Sequence, residues 1–292
     1  MATAVQWLEG ARPRTLPAAI APVAAGTGAA ALASGFVAWK AALALLVALA
    51  LQVGVNYAND YSDGVRGTDA DRVGPLRLVG SGAARPAVVR NAALASFGLA
   101  GLAGLVLAVA TAWWLLLVGA ACVVAAWFYT GGRRPYGYRG LGEVSVFVFF
   151  GLVATIGTTF VQVEDITTVS VLAGVGCGAL ACAILVANNL RDLETDRVAD
   201  KHTLAVRLGD QRTRWFYVAL LVAAFLALTV IGAIHLPALA VLVTMLPATR
   251  CARTVLAGAR GRDLVPVLKM TGSVLLFYGV LLGGALALET ST

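Results

Sequence analysis

An all-helical integral membrane protein is the fold class this sequence predicts, on three observations. The chain of 292 residues is 60% hydrophobic and only 13% charged, with a mean hydropathy of +0.85, whereas soluble domains carry about 25% charge. Apolar stretches near the roughly 20 residues needed to cross a bilayer recur along the whole chain. The basic residues alternate between them: of the 22 Lys and Arg, all but Lys40 fall in the N-terminal lead or in every second connection.

Nine spans are expected, at roughly 15–34, 40–58, 91–110, 112–130, 143–162, 168–188, 214–233, 235–249 and 269–288. The third and fourth are divided only by Thr111 and the tryptophans beside it, and the eighth is short. Arg12 and Arg14 precede the first span, and Trp7 and Leu8 suit an interfacial lead-in. Enrichment in Ala, Gly and Pro lets the first span pack closely against its neighbours. A cleaved signal peptide over residues 1–33 is the competing reading, weakened by Pro17 and Pro22.

The basic connections orient the chain with its N-terminus in the cytoplasm and its C-terminus outside, in the cell membrane. Residues 1–292 read as one transmembrane domain with two longer cytoplasmic caps, at about 59–90 and 189–213. The net charge of +7 reflects this topology and attraction to anionic lipid, and nucleic acid is not an expected partner. Cys122, Cys177, Cys182 and Cys251 show no metal-binding spacing and read as small packing residues.

Two polar motifs stand where apolar runs end. The first is Asn56-Tyr57-Ala58-Asn59-Asp60-Tyr61-Ser62-Asp63-Gly64 and the second runs from Asn188 to Lys201. Each opens with Asn and has Asp four residues on. At helical spacing Asn56, Asp60 and Asp63 share a face, as do Asn188, Asp192, Asp196 and Asp200. Both motifs ride on helix C-termini, whose dipole is negative, so the acids need a cation. Clustered carboxylates with Asn carbonyls are hard-oxygen ligands suited to Mg²⁺, which completes its shell with waters and phosphates. Facing motifs would clamp a diphosphate, with Arg66, Arg72, Arg191 and Lys201 sharing its charge. Asp71, Glu194 and Asp210 read as solvated loop charges. A transporter is the rival class, but it should carry its acids near the bilayer midplane.

These motifs, on a nine-span scaffold, resemble the UbiA superfamily of intramembrane prenyltransferases. The second motif matches through Asn188, Asp192 and Asp196. The first matches through Asn56 and Asp60, but its next acid, Asp63, falls one residue early, leaving open which of Asp60 and Asp63 holds metal. The run from Asn59 to Asp69, Arg72 to Gly82, Tyr129-Thr130-Gly131-Gly132, Pro135-Tyr136-Gly137-Tyr138, Gly140-Leu141-Gly142-Glu143 and Asp200 to Gly209 are similar to the MenA branch.

The resemblance implies a UbiA-type bundle. It also implies transfer of a polyprenyl group from polyprenyl diphosphate to 1,4-dihydroxy-2-naphthoate, with loss of CO₂ and diphosphate, giving demethylmenaquinone. Another acceptor such as 4-hydroxybenzoate is the alternative. In that reading Asp60, Asp63, Asp192 and Asp196 hold Mg²⁺ with Asn56 and Asn188 assisting, and Arg66, Arg72 and Lys201 contact diphosphate. Arg14 either reaches the same cavity or anchors the topology. Tyr129, Tyr136 and Tyr138 either line the acceptor site or pack at the interface, and Glu143 reads as a helix-start carboxylate.

Overall fold

The computed structural model describes residues 2–67 and 76–289, and among them every regular element is helical. A short helix, Ala4–Ala11, is capped by Thr3 and ends at Arg12, which adopts a left-handed conformation (φ 53°). After the turn Pro13–Thr15 the longer helices follow: α1 (Pro17–Leu32), α2 (Ala38–Arg66), α3 (Pro86–Ala110) and α4 (Leu115–Phe128). Next come α5 (Gly142–Val163), α6 (Thr168–Arg191), α7 (Asp210–Ile234), α8 (Leu236–Leu256) and α9 (Gly261–Glu289). Two short helices, Leu193–Val198 and Leu204–Leu208, connect α6 to α7.

Among the described residues, seven of these helices are long and apolar enough to cross a membrane, and an eighth if the bent pair Ala4–Thr15 and Pro17–Leu32 counts as one span. Helix α4 is apolar but has 14 residues, about 21 Å at 1.5 Å per residue, short of the roughly 30 Å hydrocarbon core. The soft boundary near Thr111 is a real break: α3 stops at Ala110 and α4 begins at Leu115.

The largest departure from expectation is α2. The apolar run fades near residue 58, yet the helix continues to Arg66 and closes at Gly67, whose φ of 74° only glycine adopts freely. Hydropathy marks the crossing rather than the end of the helix. The polar residues past it stay helical because other segments bind their side chains, as the site geometry below shows. The first cap therefore begins after Arg66, not at 59, and the part of it from 68 to 75 lies outside the described residues.

Two packing groups build the bundle. In the larger, α6 packs against α1, α5, α7 and α9 while α8 lies on α7 and α9, with Leu180, Leu228, Leu275 and Leu282 fully buried. The smaller joins α2 to α3 around Tyr57, Val89 and Phe97 and takes in Leu78 from the cap. Residues 147–153 of α5 form a π-helical turn where Gly151 meets α6: a Cβ on Gly151 would lie 2.5 Å from Gly178 Cα. Outer faces carry exposed Leu102, Trp113, Leu117, Leu226 and Phe277, as a lipid-facing surface requires.

Candidate functional site

Both motifs open into one cavity of about 430 Å³ enclosed by α1 to α6. The last turns of α2 present Asn56, Asn59 and Asp63 to it, positions spaced to share one helical face. The end of α6 presents Asn188, Asn189 and Asp192, and the helix Leu193–Val198 adds Asp196. Below this polar end the walls turn apolar, with Val23, Ala48, Leu107, Phe149, Phe150 and Ile184.

Several of these polar side chains are held in place. The Asn56 amide nitrogen donates to the Ala11 carbonyl at 2.8 Å and to Thr15 Oγ1 at 2.9 Å, tying α2 to the turn before α1. Thr130 Oγ1 donates to Asn59 Oδ1 at 2.7 Å. The Tyr138 hydroxyl donates to Asp63, which also lies 3.6 Å from the Arg77 guanidinium. Asp192 is gripped by Arg191 through paired bonds of 2.7 and 2.6 Å. The Lys201 ammonium sits 4.7 Å from the centre of the Tyr138 ring, a cation–π distance.

Asp60 stands apart from its motif partner. It is fully buried, does not line the cavity, and accepts the amides of Leu78 and Val79 at 2.7 and 2.9 Å. The residues resolve into two Asn-x-x-x-Asp pairs that both face the cavity, Asn59 with Asp63 and Asn188 with Asp192. Sequence reading missed Asn59 because it began the first motif at Asn56. The matching signal was present: Asn59 precedes Asp63 by the same four residues that separate Asn188 from Asp192.

The expected cations divide. Lys201 lines the cavity. Arg66 does not: it is exposed and donates to the Thr130 and Gly132 carbonyls beside the Tyr138 ring, bracing the connection after α4. Arg14 is exposed and away from the cavity wall, and Arg72 lies outside the described residues. In their place Arg12 and Arg77 line the cavity. Arg12 takes a left-handed conformation where the short helix ends, a feature composition does not signal.

Tyr129, Tyr136 and Tyr138 all line the cavity where polar and apolar walls meet. Tyr129 and Tyr136 pack edge to face at 5.5 Å. The Tyr136 hydroxyl donates to the Ala125 carbonyl at 2.7 Å and lies 2.9 Å from Ser145 Oγ. Burial pushes this phenol above its ordinary value, so it stays a protonated donor.

Among the described residues, no three Asp, Glu, His or Cys side chains converge tightly enough to hold a metal ion by themselves. The donor set still fits Mg²⁺, because three carboxylates and several side-chain amides line one cavity. That ion commonly takes one or two carboxylates and fills its remaining positions with water and substrate phosphate.

Fold and site together define a helical membrane protein with acids, amides and cations gathered at one end of a cavity whose walls are apolar below them. The chain belongs to the UbiA prenyltransferase family, whose model matches residues 19–267. It is 56% identical over 288 residues to a 1,4-dihydroxy-2-naphthoate octaprenyltransferase of Mycobacterium tuberculosis, covering 98% of each chain. It is 39% identical over 240 residues to the Escherichia coli protein of that name, covering 80% of this chain and 78% of that one. Among solved structures, a UbiA homolog from Aeropyrum pernix shares the fold with a TM-score of 0.72 at 15% identity, covering 93% of this chain and 97% of that one. A UbiA homolog from Archaeoglobus fulgidus bound to GPP and Mg²⁺ aligns with a TM-score of 0.67 at 13% identity, over 97% of this chain and 99% of that one.

Proposed function

We propose that this chain transfers a polyprenyl group from polyprenyl diphosphate to 1,4-dihydroxy-2-naphthoate. Diphosphate and CO₂ leave, and the product has the demethylmenaquinone skeleton. Relatives that carry this activity in their names match nearly end to end, and one observation in the site supports the same chemistry. Two Asn-x-x-x-Asp pairs and three cations line one cavity that becomes apolar below them.

Asp63, Asp192 and Asp196 are the residues that would hold Mg²⁺, with Asn59, Asn188 and Asn189 contributing amide oxygens. Bound there, Mg²⁺ supplies charge neutralisation of the departing diphosphate. Arg12, Arg77 and Lys201 carry the rest of the diphosphate charge. The apolar walls keep water from the allylic carbon as its bond to oxygen weakens. The faces of Tyr129, Tyr136 and Tyr138 border the place where that positive charge develops. The naphthoate ring attacks through the carbon that bears its carboxylate, which is then lost.

We read α1 to α9 as nine crossings of the cell membrane, with α4 shortened, the cavity mouth and N-terminus cytoplasmic and the C-terminus outside. The alternation of Lys and Arg supports this orientation. The test supplies purified protein with radiolabelled polyprenyl diphosphate and the naphthoate, in Mg²⁺ or in EDTA. A lipid-soluble prenylated product that EDTA abolishes is the expected result. Product from 4-hydroxybenzoate alone would move the acceptor, and no product from any aromatic acceptor would overturn the reading.

A further inference from the structure

Asp60 belongs by sequence to the first acidic motif, and the structure gives it a different task. Both of its oxygens face the backbone of the cap segment that follows: Oδ2 accepts the Leu78 amide at 2.7 Å and Oδ1 the Val79 amide at 2.9 Å. It has no exposed surface and does not line the cavity.

The cap segment explains why an acid is needed there. Ser81 N donates to the Arg77 carbonyl, Gly82 N to Val79 and Ala84 N to Leu78, so the turn closes on its own carbonyls. That closure leaves the Leu78 and Val79 amides without an acceptor inside the turn, and buried amides demand one. Two glycines cut the notch that seats the turn. A Cβ on Gly10 would lie 2.7 Å from Leu78 Cδ1, and a Cβ on Gly64 would lie 2.4 Å from Val79 Cγ1. The residue just before the two clamped amides is Arg77, which lines the cavity and lies 3.6 Å from Asp63.

We propose that Asp60 is a positioning residue rather than a metal ligand: by accepting the Leu78 and Val79 amides it fixes the turn that carries Arg77 into the cavity beside Asp63. This rests on the diphosphate reading of the cavity, in which Arg77 contacts the leaving group. Metal binding then belongs to Asp63 and the second motif. Asp60 governs affinity for the prenyl diphosphate.

The experiment compares Asp60→Asn, Arg77→Gln, Asp63→Asn and the Asp60→Asn/Arg77→Gln double variant with the unaltered protein in detergent. Free Mn²⁺ is counted by electron paramagnetic resonance in the presence of inorganic diphosphate, and initial rates are followed against prenyl diphosphate at saturating Mg²⁺. Asp60→Asn keeps its Mn²⁺ uptake and raises KM for the prenyl diphosphate about tenfold, with kcat changed less than about threefold. The double variant is no worse than Arg77→Gln alone, because both remove one interaction. Asp63→Asn loses Mn²⁺ uptake.

The proposal fails if Asp60→Asn loses Mn²⁺ as Asp63→Asn does, or if the KM effects of Asp60→Asn and Arg77→Gln multiply. Should Asp60→Asn not survive purification, Val79→Pro takes its place, since proline removes one amide donor and leaves the carboxylate intact. A raised KM with unchanged Mn²⁺ uptake supports the clamp, and an unchanged KM overturns it. Absence of product from the unaltered protein would instead sink the prenyl-transfer reading, while the Mn²⁺ comparison would still decide whether Asp60 is a ligand.

Discussion

The side-chain amide of Asn189 donates to Oε1 of Glu143 at 2.9 Å, joining the end of α6 to the first turn of α5. Asn189 lines the cavity, and Glu143 is buried behind it with no hydrogen-bond partner for Oε2 among the described residues. With its nitrogen engaged, Asn189 has its carbonyl oxygen left for the cavity, the end that suits a hard cation. Outer partners of this kind typically change metal affinity or activity by about 10–100-fold when removed. Glu143→Ala is therefore expected to raise the Mg²⁺ concentration for half-maximal rate by about tenfold. Glu143→Gln, which keeps an acceptor, should stay near the unaltered value. An unchanged Mg²⁺ requirement in Glu143→Ala would show that the contact merely packs α5 on α6.

Asp192 is held through both its side chain and its backbone carbonyl. Its two oxygens meet Arg191 in a paired contact, and its carbonyl receives Thr195 Oγ1 and the Asp196 amide, each at 2.8 Å. Asp192→Asn keeps the size and the backbone bonds but removes the charge. Turnover is expected to fall by at least about 100-fold, the scale for losing a group that stabilises transition-state charge. Membrane expression should be retained, and the rates should be taken over a Mg²⁺ series. Near-normal turnover at any Mg²⁺ concentration would remove Asp192 from the metal set.

The helices were legible because apolar composition and the placement of Lys and Arg report the bilayer directly. The motif acids were legible because a charge beside an apolar run has few structural explanations. Their different placement was not. Asp60 and Asp63 are three residues apart on one helix, and only the return of Leu78 and Val79 over the helix end distinguishes them. The same holds for Arg12 and Arg77, which reach the cavity through a left-handed residue and a cap turn. Glu143 looked like a helix-start carboxylate, which its position supports, but the partner that gives it a role lies 46 residues away.

Thr130 offers a test of the first Asn-x-x-x-Asp pair. It is buried, and its hydroxyl holds Asn59 at 2.7 Å. Thr130→Val keeps the shape and removes the hydroxyl, freeing the Asn59 side chain to turn. A hydrogen bond of this kind contributes about 0.5–1.5 kcal/mol, so kcat/KM should fall by about three- to tenfold. Thr130→Ser should restore most of it. If Ser and Val behave alike, the methyl packing rather than the hydroxyl is what matters, and Asn59 needs no anchor.

The contact between α1 and α9 predicts where a substitution far from the chemistry will matter. Gly28 and Gly283 meet backbone to backbone: a Cβ on Gly28 would lie 2.3 Å from the Gly283 carbonyl oxygen. On Gly279 and Gly283 a Cβ would lie 2.3 Å from the carbonyl oxygens of Ala21 and Ala24. None of these obstacles is a side-chain tip that rotates away, so the helices must part. Overpacking of this sort costs about 1–3 kcal/mol, outweighing the roughly 1 kcal/mol by which Ala exceeds Gly in helix propensity. Gly279→Ala should therefore lower the melting midpoint in detergent by several degrees. Gly284→Ala, with nothing within 4 Å of the added carbon, keeps only the propensity gain and should leave the midpoint unchanged or slightly higher. Because α1 also supplies Ala19 and Val23 to the cavity wall, Gly279→Ala should lower activity as well, and Gly284→Ala should not. Equal melting and activity in the two variants would mean that the α1–α9 contact yields without cost, and that the cavity wall does not depend on it.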